Sequence, residues 1–243
     1  MSTDNSLGAD VVIVGGGLAG LVAANRMTGL GLSALVLEAG NEAQYPANSR
    51  YAGGVFHIAF RDLAETPEAL SAAIVEASAG LRDETLAQAL AADGARAVAW
   101  LSQQGAQFGR GGEYPFMGNM LMPFSLRETG VQNHWRGKGG DLLLQRLEAS
   151  FVAAGGRFIR GARAHDLHLV EGRCAGVAAQ MHDGREHTIR ARAVLLADGG
   201  FQGNAEMVRR YISPRPEHLC ERQALYRRRP WRRCRCQRHC YAR

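Results

Sequence analysis

The 243-residue sequence is short of cysteine through most of its length and has no apolar run long enough to cross a bilayer. Cys174 stands alone in the body of the chain, while Cys220, Cys234, Cys236 and Cys240 crowd its end. One body thiol excludes a disulfide framework. The longest uncharged stretch, Val11 to Asn25, is too short and too rich in glycine to be a membrane span. It is also a poor secretory signal, because Asp4 and Asp10 stand where basic residues would be needed. No internal repeat is present. These absences predict a soluble, cytoplasmic protein with no membrane partner.

Composition is otherwise that of a globular protein, with 46% hydrophobic and 21% charged residues. The length suffices for one large domain or two small ones. The net charge of +6 is unevenly spread. Residues 209–243 hold twelve arginines against Glu217 and Glu221, a local +10, which leaves the rest at −4.

The apolar run Asp10–Val14 reads as a buried parallel strand, Leu18–Gly29 as a helix, and Ser33–Leu37 as a second buried strand ending at Glu38. Between strand and helix lies Gly15-Gly-Gly17-Leu18-Ala19-Gly20, a G-x-G-x-x-G turn. Gly15 permits the tight turn, Gly17 lets the backbone approach a diphosphate, and Gly20 lets helix and strand pack closely. The helix N-terminus offers amide donors and partial positive charge. Glu38, followed by Ala39, stands at the tip of the second strand, where a carboxylate can accept from ribose hydroxyls. This unit predicts a dinucleotide site without separating FAD from NAD.

Farther on, Asn41–Phe60 reads as loop, and helices are expected over Pro67–Ala79, Asp83–Gln104 and Asp141–Ala154. Leu86, Leu90, Ala97 and Leu101 mark the apolar spacing of the second helix, and Leu143, Leu144, Leu147 and Phe151 that of the third. Gly105–Gly140 reads as irregular. Arg157–Ile159 is a further strand of the main sheet. Ala164–Val170, Cys174–Gln180 and His187–Ala191 form an antiparallel meander, with a hairpin turn at Asp183-Gly184. Ala193–Ala197 returns as a buried parallel strand.

The order of these elements resembles the flavoprotein family of fumarate reductases, succinate dehydrogenase flavoprotein subunits, tricarballylate dehydrogenases and 3-ketosteroid dehydrogenases, over roughly residues 8–222. The family's small-polar segment leading to Gly-Gly matches Asn48-Ser49-Arg50-Tyr51-Ala52-Gly53-Gly54. The resemblance implies that its hydroxyl and backbone groups touch the diphosphate and the flavin edge. It also implies backbone contacts to adenine at Ala164, and a cofactor-facing element at Ala197-Asp198-Gly199-Gly200-Phe201.

The implied fold is α/β, a Rossmann-like FAD-binding parallel sheet with a small antiparallel β-meander. The implied activity is hydride transfer between flavin and a carboxylate-type small molecule, with ketosteroids as the alternative substrate and no electron partner indicated. Asn48 stands near where membrane-bound relatives carry the histidine that attaches FAD covalently, so binding is expected to be noncovalent. The family's substrate-clamping domain and catalytic residues follow the Phe201 element, and no position here matches them. Residues 1–222 are therefore expected to be the FAD-binding domain of a larger flavoprotein, cut short before that clamp, and no catalytic residue is assigned. A catalytically incomplete fragment is the competing reading.

Other residues carry weaker expectations. His57 could approach the flavin, although packing is the usual role of such a histidine. Arg136-Gly-Lys138-Gly-Gly140, after His134 and Trp135, could hold an anion at a helix N-terminus. Arg110–Met122, with Tyr114 and Phe116, could line a pocket. His165, His168, His182 and His187 are expected on the surface.

The tail, residues 223–243, is atypical. Its arginines suit an anionic partner, and Cys234, Cys236, His239 and Cys240 are metal-ligand types in an unusual spacing. A third reading is a shifted frame. With CGN arginine codons, reading one base later turns Trp231-Arg232 into glycine. The next two codons become GNC and GNT, compatible with the Gly-Asp-Gly that the family places nearby. The shifted frame or a disordered tail is expected, with no metal site and no nucleic-acid partner; resequencing codons 220–243 decides it.

Overall fold

A computed structural model describes residues 7–125, 135–201 and 204–212. The tail with its cysteines, and His134, lie outside the described residues. In chain order the elements are β1 (Gly8–Val14), α1 (Leu18–Gly29), β2 (Ala34–Glu38), α2 (Asn48–Tyr51), β3 (Val55–Phe56), α3 (Pro67–Ser78), α4 (Glu84–Gln103), β4 (Phe108–Gly109) and β5 (Asn119–Leu121). They continue with α5 (Gly139–Ala153), β6 (Arg157–Arg160), β7 (Arg163–Val170), β8 (Arg173–Gln180), β9 (Glu186–Leu196) and α6 (Ala205–Tyr211). The chain divides into two units, residues 1–45 with 151–243, and residues 46–150.

The first unit is built on a six-stranded sheet of order β6-β2-β1-β9-β8-β7. Strands β6, β2, β1 and β9 run parallel, with Val12 beside Leu35 on one side and Val194 on the other. Successive side chains of β1 and β2 point to opposite faces, so each strand feeds two cores. Val12, Val14, Leu35 and Leu37 pack with Val177, Ala179 and Ile189 on one face. Ile13, Ala34 and Val36 pack with Ala24 of α1 and Phe151 at the end of α5 on the other. Apolar residues on both faces explain why these strands read as continuous hydrophobic runs.

The meander is present, β7-β8-β9, with its β8–β9 turn at Asp183-Gly184, where the Asp183 carboxylate accepts from the Arg185 amide at 3.0 Å. Its last strand differs from the expectation of two elements, His187–Ala191 and Ala193–Ala197. His187–Ala191 and Ala193–Leu196 belong to one eleven-residue strand, β9, whose first part, to Arg190, pairs antiparallel with β8 and whose second part, from Arg190 to Leu196, pairs parallel with β1. The meander therefore extends the main sheet. Nor is the returning strand fully buried: Ala193 is exposed and Leu195 is 39% exposed.

The second unit holds a small antiparallel sheet, β3-β5-β4, with α3 and α4. Thr66 caps α3 through its hydroxyl, with Pro67 in the first turn, and the Asp83 carboxylate caps α4. On α4 the expected face is rotated. Leu86 and Leu90 are 70% and 53% exposed, while Ala87, Ala91, Val98 and Leu101 are buried. The small side chains win because Gly94 sits tight on this face: a methyl there would come within 2.9 Å of Ile58 Cδ1. Gly105–Gly140 is less irregular than expected, since it contains β4, β5 and a 3-10 turn at Pro115–Met117. Likewise Asn41–Phe60 contains α2 and β3. Elements of two to four residues are too short to show a period. Helix α5 begins two residues earlier than expected, at Gly139, and its Leu143, Leu144, Leu147 and Phe151 are all buried.

Candidate functional site

The first unit concentrates its glycines where β1, β2 and β9 end side by side. The β1 ladder runs on into the turn, with the Gly15 amide donating to Leu37 O at 2.8 Å and the Ala197 amide donating to Val14 O at 2.8 Å. Gly15 takes φ +104°, a conformation side chains rarely adopt, and a Cβ there would come within 2.5 Å of Ala197 O. The glycine turn and the Ala197-Asp198-Gly199-Gly200 element are thus brought together, with Gly199 and Gly200 exposed. Gly20 lies so close to Gly15 O that any side chain would overlap it, as helix–strand packing requires.

Gly17 is the N-cap of α1, with no side-chain cap, and no acid stands in the helix's first turn at Leu18, Ala19 and Gly20. No acid of the first turn therefore offsets the partial positive charge at that N-terminus. By contrast Glu68, Glu84, Asp141 and Glu206 occupy the first turns of α3, α4, α5 and α6.

Glu38 is buried at the end of β2, with Ala39 half-buried after it. Its Oε2 accepts from the Gly16 amide at 2.9 Å and its Oε1 from the Gly40 amide at 2.6 Å. A carboxylate has roughly four acceptor positions. The Gly16 and Gly40 amide bonds orient this one at the tip of β2. The loop ahead of β7 joins the same corner: the Ala162 amide donates to Glu38 O and the Gly161 amide to Gly40 O. Ala164, buried, then pairs with Ala179 beside a bulge in β7.

Sequence reasoning missed the wall of this turn. Tyr45, fully buried, donates its hydroxyl to Gly16 O at 2.7 Å and stacks on Phe158 at 5.7 Å. The Arg160 guanidinium lies 5.1 Å from the Phe158 ring centre. A methyl at Gly16 would meet the Phe158 ring and the Tyr45 hydroxyl, each at 2.8 Å, so the middle glycine of the motif is as constrained as its neighbours. No local pattern marks Tyr45; its partners come from 29 residues before it and more than 100 after.

The second unit holds Asn48, Ser49 and Arg50 in α2, followed by Gly53 and Gly54. Asn48 and Gly53 are exposed, and Gly54 O accepts from the Leu121 amide at 2.9 Å. Arg50 is fully buried and ion-paired with Asp141. That acid also changes the reading of Arg136–Gly140. Asp141 Oδ2 accepts from the Gly137 amide at 2.8 Å, so a carboxylate already occupies the N-terminus of α5 that was considered for an anion. His57 Nδ1 accepts from the Phe60 amide at 3.2 Å, and its ring stacks on Phe60 and meets Phe116 edge-on. Tyr114 stacks on Phe116, so the Arg110–Met122 loop is packed through its aromatics. In the first unit His165 pairs with Glu186 at 2.8 Å. No metal-ligating cluster occurs among the described residues, and no described helix is long and apolar enough to cross a membrane.

Comparison with known proteins agrees with this geometry. The family model described as "FAD binding domain" matches residues 10–223. L-aspartate oxidase of Streptomyces coelicolor is 33% identical over 210 residues, covering 81% of this chain and 34% of that protein. L-aspartate oxidase of Caulobacter vibrioides is 32% identical over 194 residues, covering 79% of this chain and 37% of that protein. The chain thus spans about a third of the length of these relatives. Among solved structures, a 3-ketosteroid-delta4-(5alpha)-dehydrogenase from Rhodococcus jostii RHA1 superposes with TM-score 0.70 at 23% identity, covering 88% of this chain and 50% of that one. A flavocytochrome c3 fumarate reductase gives 0.69 at 19% identity, covering 86% and 37%. At these identities the structures attest the shared fold.

Proposed function

The chain belongs to the FAD-binding domain family, and from that premise we propose that it serves an FAD-dependent oxidoreductase of the fumarate reductase and succinate dehydrogenase type acting on a carboxylate-type small molecule. The observation that carries the reading is the corner where Gly15–Gly17 opens α1 and Glu38 closes β2. The residues there fit the ADP half of FAD. A helix N-terminus with glycine at its cap and no acid in its first turn suits a diphosphate, and a carboxylate oriented by Gly16 and Gly40 suits ribose hydroxyls. Ala164 and the Ala197–Gly200 element would add backbone contacts. In the second unit, Asn48–Gly54 is the segment assigned by resemblance to the diphosphate and flavin edge.

When bound, FAD supplies hydride transfer, and the protein supplies position and electrostatics. The 32–33% identity to L-aspartate oxidases favours a carboxylate substrate, whereas the ketosteroid alternative rests on fold alone. The shared third of those relatives favours a second reading, a cofactor-holding portion whose substrate chemistry lies in sequence not shared here. The test is a titration of the purified chain with FAD, followed by absorbance. Flavin bands that travel with the protein, and leave entirely with the supernatant after acid denaturation, support noncovalent FAD. Colour retained on the denatured chain overturns the noncovalent reading, and no uptake overturns the whole proposal. Turnover of fumarate, succinate or aspartate with an artificial acceptor, above the rate of free flavin, separates the enzyme from the cofactor-holding portion.

A further inference from the structure

Arg50 lies in the middle of the Asn48–Gly54 segment, yet its side chain turns into the second unit, where it and Asp141 form an ion pair with both side chains fully buried. Around that pair the segment is held at two ends. At one end Gly140 lies against Ser49 O so closely that no side chain fits between them, and Tyr51 meets Trp135 edge-on at 5.2 Å. Trp135 also lies beneath the Arg50 guanidinium, 5.9 Å from the ring centre, and Asp141 fixes the turn that carries this indole by accepting from the Gly137 amide. At the other end Gly54 O accepts from the Leu121 amide, and Gly139 packs against Leu121. Between the two ends, Ala52 and Gly53 remain exposed.

A buried ion pair is a costly way to hold a fold, because apolar residues of the same volume often serve stability as well or better. What the pair adds is direction: a planar guanidinium on a carboxylate admits few geometries. We propose that the Arg50–Asp141 pair is a positioning device, which sets the backbone of Asn48–Gly54 in the one conformation that accepts the flavin half of FAD. Asp141, 91 residues from Arg50, is thereby a positioning residue for the cofactor. The proposal rests on the reading that Asn48–Gly54 faces the flavin side.

The experiment compares calorimetric titrations of ADP and FAD on the full chain and on two variants, with visible circular dichroism of the bound flavin. R50M/D141L replaces both charges at once and leaves neither buried alone. Gly140→Ala leaves the pair intact and displaces Ser49 directly, so it answers if the double variant does not fold. Each is expected to lose at least tenfold in FAD affinity and to alter the dichroism, while ADP affinity stays within twofold. Unchanged FAD affinity and dichroism in a folded R50M/D141L overturns the proposal, as does the same result in Gly140→Ala where the double variant does not fold. Parallel losses of ADP and FAD also overturn it, since the pair then serves folding alone. If the unmodified chain binds FAD no more tightly than ADP, with the bound flavin spectrally like free flavin, it is the underlying reading that fails.

Discussion

Single residues carry the dinucleotide corner, and their roles separate by chemistry. Gly15 is held in a left-handed conformation against Ala197 O. A non-glycine residue in such a conformation costs about 1–3 kcal/mol before any clash is counted. Gly15→Ala is therefore expected to lower unfolding stability by at least about 2 kcal/mol and to abolish FAD uptake at micromolar cofactor, read by denaturant melts and by absorbance. Tyr45 acts through one hydrogen bond and one stack. Tyr45→Phe keeps the stack on Phe158 and leaves the buried Gly16 carbonyl without that donor, a loss of about 1–2 kcal/mol. Its FAD affinity should fall less than that of Gly15→Ala; an equal fall would mean that Tyr45 touches the cofactor itself.

Asp10 illustrates a residue whose role is purely structural. At the start of β1 it accepts from the Ser33 hydroxyl at 2.7 Å and the Ser33 amide at 3.0 Å, and it pairs with Arg192 at 3.1 Å. The Ser33 hydroxyl bond, then the Ser33 amide, then Arg192 hold its pKa below the ordinary aspartate value of 3.8. A carboxylate depressed on folding contributes stability that is fully present above the unfolded pKa and is lost as pH falls through the folded one. The stability gap between the unmodified chain and Asp10→Asn should thus be constant from pH 7 to 5 and close below about pH 4. A gap that widens on acidification would reverse the assignment.

At the scale of elements, α4 separates periodicity from burial. Two different stripes of this helix are apolar, and the sequence alone favours the one with larger side chains. The structure buries the smaller one, because Ala87, Ala91 and Gly94 let the helix approach Ile58 and Leu63 closely. Leu86→Gln is expected to change stability by no more than about 0.5 kcal/mol. Ala91→Asp places a charge in the Ile58–Leu70 cluster and should cost about 3 kcal/mol or more. Equal effects would show that the face is assigned wrongly.

The same contrast explains what could be read beforehand. Helix α1 was legible to the residue, and β1 and β2 nearly so, because buried runs flanked by glycine carry both period and punctuation. The Gly15–Gly20 turn and Glu38 were legible because their chemistry is local. Tyr45 and the Arg50–Asp141 pair were not, since each is defined by a partner brought from far along the chain. The continuity of β9 was missed for another reason: Arg190-Ala-Arg192 looks like a break, yet an extended strand with one exposed face accepts charges there.

At the scale of the whole molecule, charge and function part company. The family match ends at residue 223, and every residue proposed for FAD lies before it. The strong positive charge lies beyond, in the arginines of residues 227–243. If the cofactor is held by helix termini and backbone amides before residue 223, its affinity does not depend on the arginines that follow. Removing residues 223–243 is therefore expected to leave FAD affinity within twofold of the full chain at 150 mM salt. The same deletion should abolish any retention on an immobilised polyanion, which in the full chain should weaken steeply as salt rises. Loss of FAD binding with the tail would assign the arginines to the cofactor and would return the anionic-partner reading of that stretch, with flavin phosphates as the partner.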